Sequence, residues 1–122
     1  MKLHASRPSG VNTITAYGEG YVMVNGERRS SHVVILPDRI ENWPVKDFDS
    51  LSAEDFTFLK SLKAEIVLLG TGARQRFPHP RLTAELAQAG IGLEVMDLQA
   101  ACRTYNILVA EERKVAAALL FE

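Results

Sequence analysis

The sequence predicts an α/β fold, and three observations carry that prediction. Ile66-Val67-Leu68-Leu69 is a short, continuously apolar run closed by Gly70-Thr71-Gly72. Such a run suits a strand buried on both faces, inside a sheet covered by helices. From residue 66 to residue 120, strand-like and helix-like stretches alternate, which points to βαβ units with parallel neighbours. Before residue 37 the pattern is different: β-branched and aromatic runs punctuated by glycine predict an N-terminal β-meander. With 122 residues there is room for one sizeable core, so the expected organisation is a single domain over residues 1–122.

Taken in order, Thr13 to Tyr17 reads as a strand, and Gly18-Glu19-Gly20 ends it. Tyr21 to Val24 follows, then Asn25-Gly26, a dipeptide that tolerates the positive φ angles of a tight hairpin turn. His32 to Leu36 is the next apolar run, stopped by Pro37-Asp38, and the hairpin signal predicts that it pairs antiparallel with Tyr21–Val24. Residues 37–51 hold Pro37 and Trp43-Pro44 with no clean period and read as a connector. Ser52 is a good N-cap, Glu54 and Asp55 place negative charge in a first turn, and Phe56, Leu59 and Leu62 form an apolar stripe. These predict a helix over about residues 53–62, with Leu51 positioned to staple against Phe56.

After the apolar run at 66–69, residues 73–79 form a loop leading to Pro80, well suited to the first turn of a helix. Leu82, Leu86 and Ala89 line one face of that helix, and Gly90 sits where it should end. Leu93 to Met96 is the next strand. Asp97 then caps a helix whose stripe is Leu98, Ala101, Cys102, Tyr105, Leu108 and Val109, a full match to helical spacing. Val115 to Leu120 fits either a helix, by its alanines, or a strand, by its length.

Composition narrows the function. Hydrophobic residues at 47% and charged residues at 24% are ordinary globular values and exclude a disordered chain. Fourteen Lys and Arg against fifteen Asp and Glu leave no global basic field, so no nucleic-acid partner is expected. A single cysteine makes no internal disulfide. No apolar segment follows the charged N-terminus as in a secretory signal, and the Val115–Phe121 run is far short of the roughly 20 residues that cross a bilayer. The expectation is a cytoplasmic protein that does not span a membrane.

Three groups of residues are candidates for function. Gly70, Thr71 and Gly72 occupy the place where α/β proteins bind ligands, past the carboxyl end of a strand. The third glycine of a dinucleotide fingerprint is missing, because position 75 is Gln, and no phosphate loop ending in Gly-Lys-Ser/Thr is present. The turn therefore reads either as a plain tight turn or as a ligand-contacting loop. Second, Arg74, Arg76, His79 and Arg81 surround Phe77 in a run, 66–84, without one Asp or Glu. This suits a solvated loop, a protein contact or a small anion. Acidic residues gather instead at Glu41, Asp47, Asp49, Glu54 and Asp55, as a solvated face or as a partner for the arginines of another copy. Third, Gln99, Arg103 and Asn106 read as the solvated face of the last helix, whose Cys102 lies on the apolar stripe as a buried small hydrophobe. His4, His32 and His79 form no i, i+4 pair, so no metal site is expected, and no catalytic constellation is in view.

Gly70-Thr71-Gly72, Met96-Asp97, Ala100 to Leu108 with its Arg103-Thr104-Tyr105-Asn106 core, and Glu111 to Leu119 together resemble the Mth938-like domain family. Tyr21 to Gly26, Val33 to Leu36 and Trp43-Pro44 agree with it, so the resemblance covers essentially the whole chain. One departure is Leu98, where many relatives carry a threonine. The resemblance implies a three-layer Mth938-like domain, a meander followed by βαβαβ around a mixed sheet, with Val115–Leu120 as a strand. It carries over no established catalytic residues, and no cofactor is expected. Its best-known branch includes a mitochondrial factor for assembly of respiratory complex I, whereas this chain, lacking a presequence, reads as bacterial.

Two functions follow as expectations. The leading one is a non-catalytic module that docks on a partner protein through the Arg74–Arg81 loop and the Arg103/Asn106 face, with a homo-oligomer as a further option. The rival is a small anionic ligand held by Arg74 or Arg76 in a crevice lined by Gly70, Thr71, Gly72, Asp97, Arg103, Tyr105 and Asn106.

Overall fold

Side chains alternate between the two faces of a strand, and in the centre of this protein both faces are apolar. The computed structural model describes residues 10–122. The N-terminal stretch weighed as a leader and His4 lie outside the described residues. The elements in chain order are β1 (Ile14–Gly18), β2 (Tyr21–Val24), β3 (Glu27–Arg29), β4 (Val33–Leu36), β5 (Arg39–Asn42), α1 (Ala53–Ser61), β6 (Ile66–Thr71), α2 (Pro80–Gln88), β7 (Gly92–Met96), α3 (Leu98–Ala110) and β8 (Val115–Leu120).

β1, β2 and β3 form a three-stranded antiparallel meander. The other five strands form a mixed sheet in the order β5-β4-β8-β6-β7. Its centre is β8, parallel to β6 and antiparallel to β4, with Leu68 and Val34 opposite Ala117 and Ala118. The run left open between helix and strand is therefore a strand. Its register shows why alanines suit it: helices cover both faces, and small side chains bring those layers close.

Two cores follow from the alternation. Val33, Ile35, Leu68, Ala117 and Leu119 face a layer built from α3 and the meander. Val34, Leu36, Val67, Leu69, Ala116, Ala118 and Leu120 face α1 and α2, together with Trp43 and Leu51. Ser52 opens α1 as expected, its N–H donating to the Asp55 carboxylate at 2.8 Å, and Leu51 and Phe56 share one core.

Two local expectations are corrected. The Asn25-Gly26 turn, with φ of 54° and 85°, pairs β2 with the polar Glu27–Arg29 segment at once. Val33–Leu36 leaves the meander for the other sheet, so it does not pair with Tyr21–Val24. The expected connector at 37–51 contains β5, folded back on β4 by the Pro37-Asp38 turn with Ile35 opposite Ile40, and a 3-10 turn at Phe48–Ser50.

Candidate functional site

The carboxyl ends of β6 and β7 meet the N-terminus of α3, and most of the candidate residues cluster there. Gly70 and Thr71 are still in β6, one residue pair beyond the predicted strand. A Cβ at Gly70 would stand 3.0 Å from Ala101 Cβ and from a Leu119 methyl, so this glycine lets α3 sit close on the sheet. The Thr71 hydroxyl donates to the Arg74 carbonyl at 2.7 Å and accepts from the Arg76 N–H at 3.0 Å. Gly72, at φ 84°, turns the chain against the Glu122 backbone, where any Cβ would collide with the Glu122 carbonyl. Its own carbonyl accepts from the Leu98 N–H at 2.8 Å. The Gly-Thr-Gly turn is thus fully occupied in holding strand, helix and loop together.

The loop beyond it is anchored at both ends. Gln75 donates to the Val95 carbonyl at 2.8 Å. Arg76 lies over the Phe48 ring, 4.2 Å from its centroid, and donates to Asp49 at 2.6 Å, with Glu122 at 3.5 Å. The Phe48 N–H in turn donates to the Glu122 carboxylate at 3.0 Å. Asp49, of the acidic group, therefore finds its arginine within the same chain rather than in another copy. His79 caps α2, its Nδ1 accepting from the Arg81 N–H at 3.1 Å. Arg74, Phe77 and Arg81 remain on the surface, and Phe77 is 70% exposed, the most exposed large apolar side chain described.

The α3 candidates take a different role. Asp97 caps the helix, accepting from the Ala100 N–H at 2.8 Å. Asn106, expected on a solvated face, is buried instead: its carbonyl accepts from the Ile14 N–H at 2.9 Å and its amide donates to the Ile14 carbonyl at 2.7 Å. Tyr105, also buried, donates to the Asn12 carbonyl at 2.9 Å, and burial pushes its phenol well above the usual range. Arg103 donates to the Tyr17 hydroxyl at 3.0 Å. The Arg-Thr-Tyr-Asn segment is a clamp that holds the meander on α3. A Tyr or Asn in a helix interior carries no sequence mark of such a distant backbone partner. Cys102 is buried, and its thiol is pushed up to about 12 by that burial.

The side chains of the rival reading do not converge. A crevice of about 380 Å³ does open beside Gly72, but Gly18, Glu19, Gly20, Asp97 and Glu122 line it. Among the described residues it is lined by three carboxylates and no arginine, the wrong charge for an anion. Among the described residues no three of His, Cys, Asp and Glu group as metal ligands, and no helix is long and apolar enough to cross a membrane.

Residues 14–120 match the model of a protein family of unknown function, DUF498/DUF598. The chain is 34% identical over 114 residues to NADH dehydrogenase [ubiquinone] 1 alpha subcomplex assembly factor 3 of Danio rerio, covering 92% of this chain and 66% of that protein. It therefore spans somewhat less than two thirds of that relative. A crystal structure of a Bordetella parapertussis protein superposes with TM-score 0.88 at 41% identity, over 95% of this chain and 100% of the other. The solution structure of a Bordetella pertussis protein, a Mth938-like domain, gives TM-score 0.80 at 35% identity, over 99% and 92%. The match across both sheets and all three helices places this chain in the DUF498/DUF598 family of Mth938-like domains.

Proposed function

We propose that this protein is a non-catalytic assembly module that docks on a protein partner through the 73–79 loop, during assembly of a respiratory NADH dehydrogenase. The observation that carries the reading is Phe77, an aromatic ring 70% exposed on a loop whose other contacts are already satisfied. Arg74 and Arg81, both exposed, stand near it in sequence. Aromatic and arginine side chains dominate binding energy in protein interfaces, and a loop already held in place loses little entropy on docking. The assembly role comes from the Danio rerio relative and its kin. The partner surface that fits is an apolar pocket with acidic neighbours, at the cytoplasmic side of a bacterial cell.

A photo-crosslinking residue at position 77, with another at the exposed Glu54 position on α1 as control, tests this in living cells. The expected result is a crosslink from position 77 to a subunit or assembly protein of the NADH dehydrogenase, lost on combining Arg74→Glu with Arg81→Glu. Arg76 is left intact, because changing it would break the loop's own anchor. No such crosslink from position 77, or equal crosslinks from both positions, would remove the loop from the proposal.

A further inference from the structure

Among the described residues, two buried side-chain donors have no acceptor: Arg29 Nε and Trp43 Nε1. Buried donors are almost always paired, because one left unpaired loses its water without gaining an acceptor. The residues that carry them line adjoining hollows. One, of about 270 Å³, is lined by Arg28 and Arg29; the other, of about 580 Å³, by Trp43 and Phe121; Ser30, Ser31 and Asn42 belong to both. The β3–β4 connection and the end of β5 thus form one continuous cleft, and none of the 73–79 loop residues lines it.

The charge of the walls is one-sided. Arg28, Arg29, Ser30, Ser31 and Asn42 all offer N–H or O–H groups, and no carboxylate lines the first hollow. The nearest acid to Arg29 is Glu27, at 3.8 Å and largely exposed, too distant for a hydrogen bond. His32, at the inner end, has both ring nitrogens engaged: Nδ1 accepts from the Phe121 N–H and Nε2 faces the Lys46 carbonyl, each at 3.1 Å. Its ring is stacked with Phe121, which makes the second hollow's wall partly aromatic. Arginine forks beside hydroxyls suit a tetrahedral oxyanion, whose several oxygens accept from different directions.

We infer that this cleft is a binding site for a small phosphomonoester, its phosphate at Arg29 and Ser30-Ser31 and its organic part against Trp43 and Phe121. Arg29 Nε would then gain an acceptor by a small shift of its side chain toward the phosphate.

The single tryptophan of the chain is itself in the cleft, so its fluorescence reports occupancy without a label. The full-length protein is titrated with inorganic phosphate and with phenyl phosphate, against chloride at equal ionic strength and against acetate. The expected result is a saturable change with both phosphates, at least fivefold tighter for phenyl phosphate, and at least tenfold weaker in Arg29→Gln. Arg113→Gln, an exposed arginine that lines neither hollow, controls for charge alone and should leave both affinities unchanged. A thermal midpoint within a few degrees of wild type establishes that each variant is folded. Equal saturation by acetate would overturn the phosphate assignment. No saturable change, or one that survives Arg29→Gln, would overturn the site.

Discussion

Replacing Asn106 by alanine removes the side chain that bonds both backbone groups of Ile14, which lies 92 positions earlier and is 1% exposed. In the variant the Ile14 N–H and carbonyl both lose their side-chain partner in a place where water has little access. Each buried backbone group left unsatisfied costs about 1–3 kcal/mol. Alanine returns roughly 0.5 kcal/mol through its better helix propensity. The net expectation is a loss of about 2–5 kcal/mol, a large share of the roughly 5–15 kcal/mol that holds a domain together. Urea denaturation at neutral pH measures it, through a lower midpoint at unchanged slope. Asn106→Asp sharpens the test. Its carboxylate can accept from the Ile14 N–H but, when ionised, offers no proton to the carbonyl, so its stability should recover as acid protonates it. A loss under about 0.5 kcal/mol in Asn106→Ala, with both state baselines intact, would refute the clamp.

Gly70→Val should destabilise by about 1–3 kcal/mol or more, since the new side chain must enter the 3.0 Å gaps to Ala101 and Leu119; thermal denaturation reads this directly. The native Cys102 thiol should resist a thiol reagent at neutral pH and react freely once urea unfolds the chain. Burial raises this thiol from 9.0 to about 12, so the native state keeps a proton that the unfolded state releases. Its contribution is therefore intact below about pH 9 and lost as pH rises toward 12, and Cys102→Ala should show a shallower alkaline fall in urea midpoint.

The elements that the sequence discloses are those with strong local signals. Capping residues, glycine stops and apolar stripes mark α1, α2 and α3 to within a residue or so. Strands β3 and β5 escape because they lack an apolar pattern: Glu27-Arg28-Arg29 and Arg39-Ile40-Glu41-Asn42 are strands by virtue of the turns that fold them onto β2 and β4. The candidate site divides in the same way. The positive-φ turn at Gly72 and the cap at Asp97 are local features, and their residue types announce them. Asn106, Tyr105 and Arg76 act on partners 92, 93 and 27 positions away, distances over which a residue type carries no directional mark. Position 77 is a further case, because a phenylalanine in a loop reads as well for a buried anchor as for an exposed one. Arg29 and Trp43 carry no mark in sequence either, since an unpaired donor is a property of what folds around it.

The central place of β8 has a consequence for biosynthesis. During translation the β4–β5 hairpin and the β6–β7 pair are made before the strand that separates them. Until residues 115–120 emerge, β4 and β6 each present an open edge, and the apolar faces of three helices have only part of a sheet to cover. The five-stranded sheet is therefore joined only after Val115–Leu120 has been made, and a nascent chain stalled short of Val115 would leave those two strand edges unpaired.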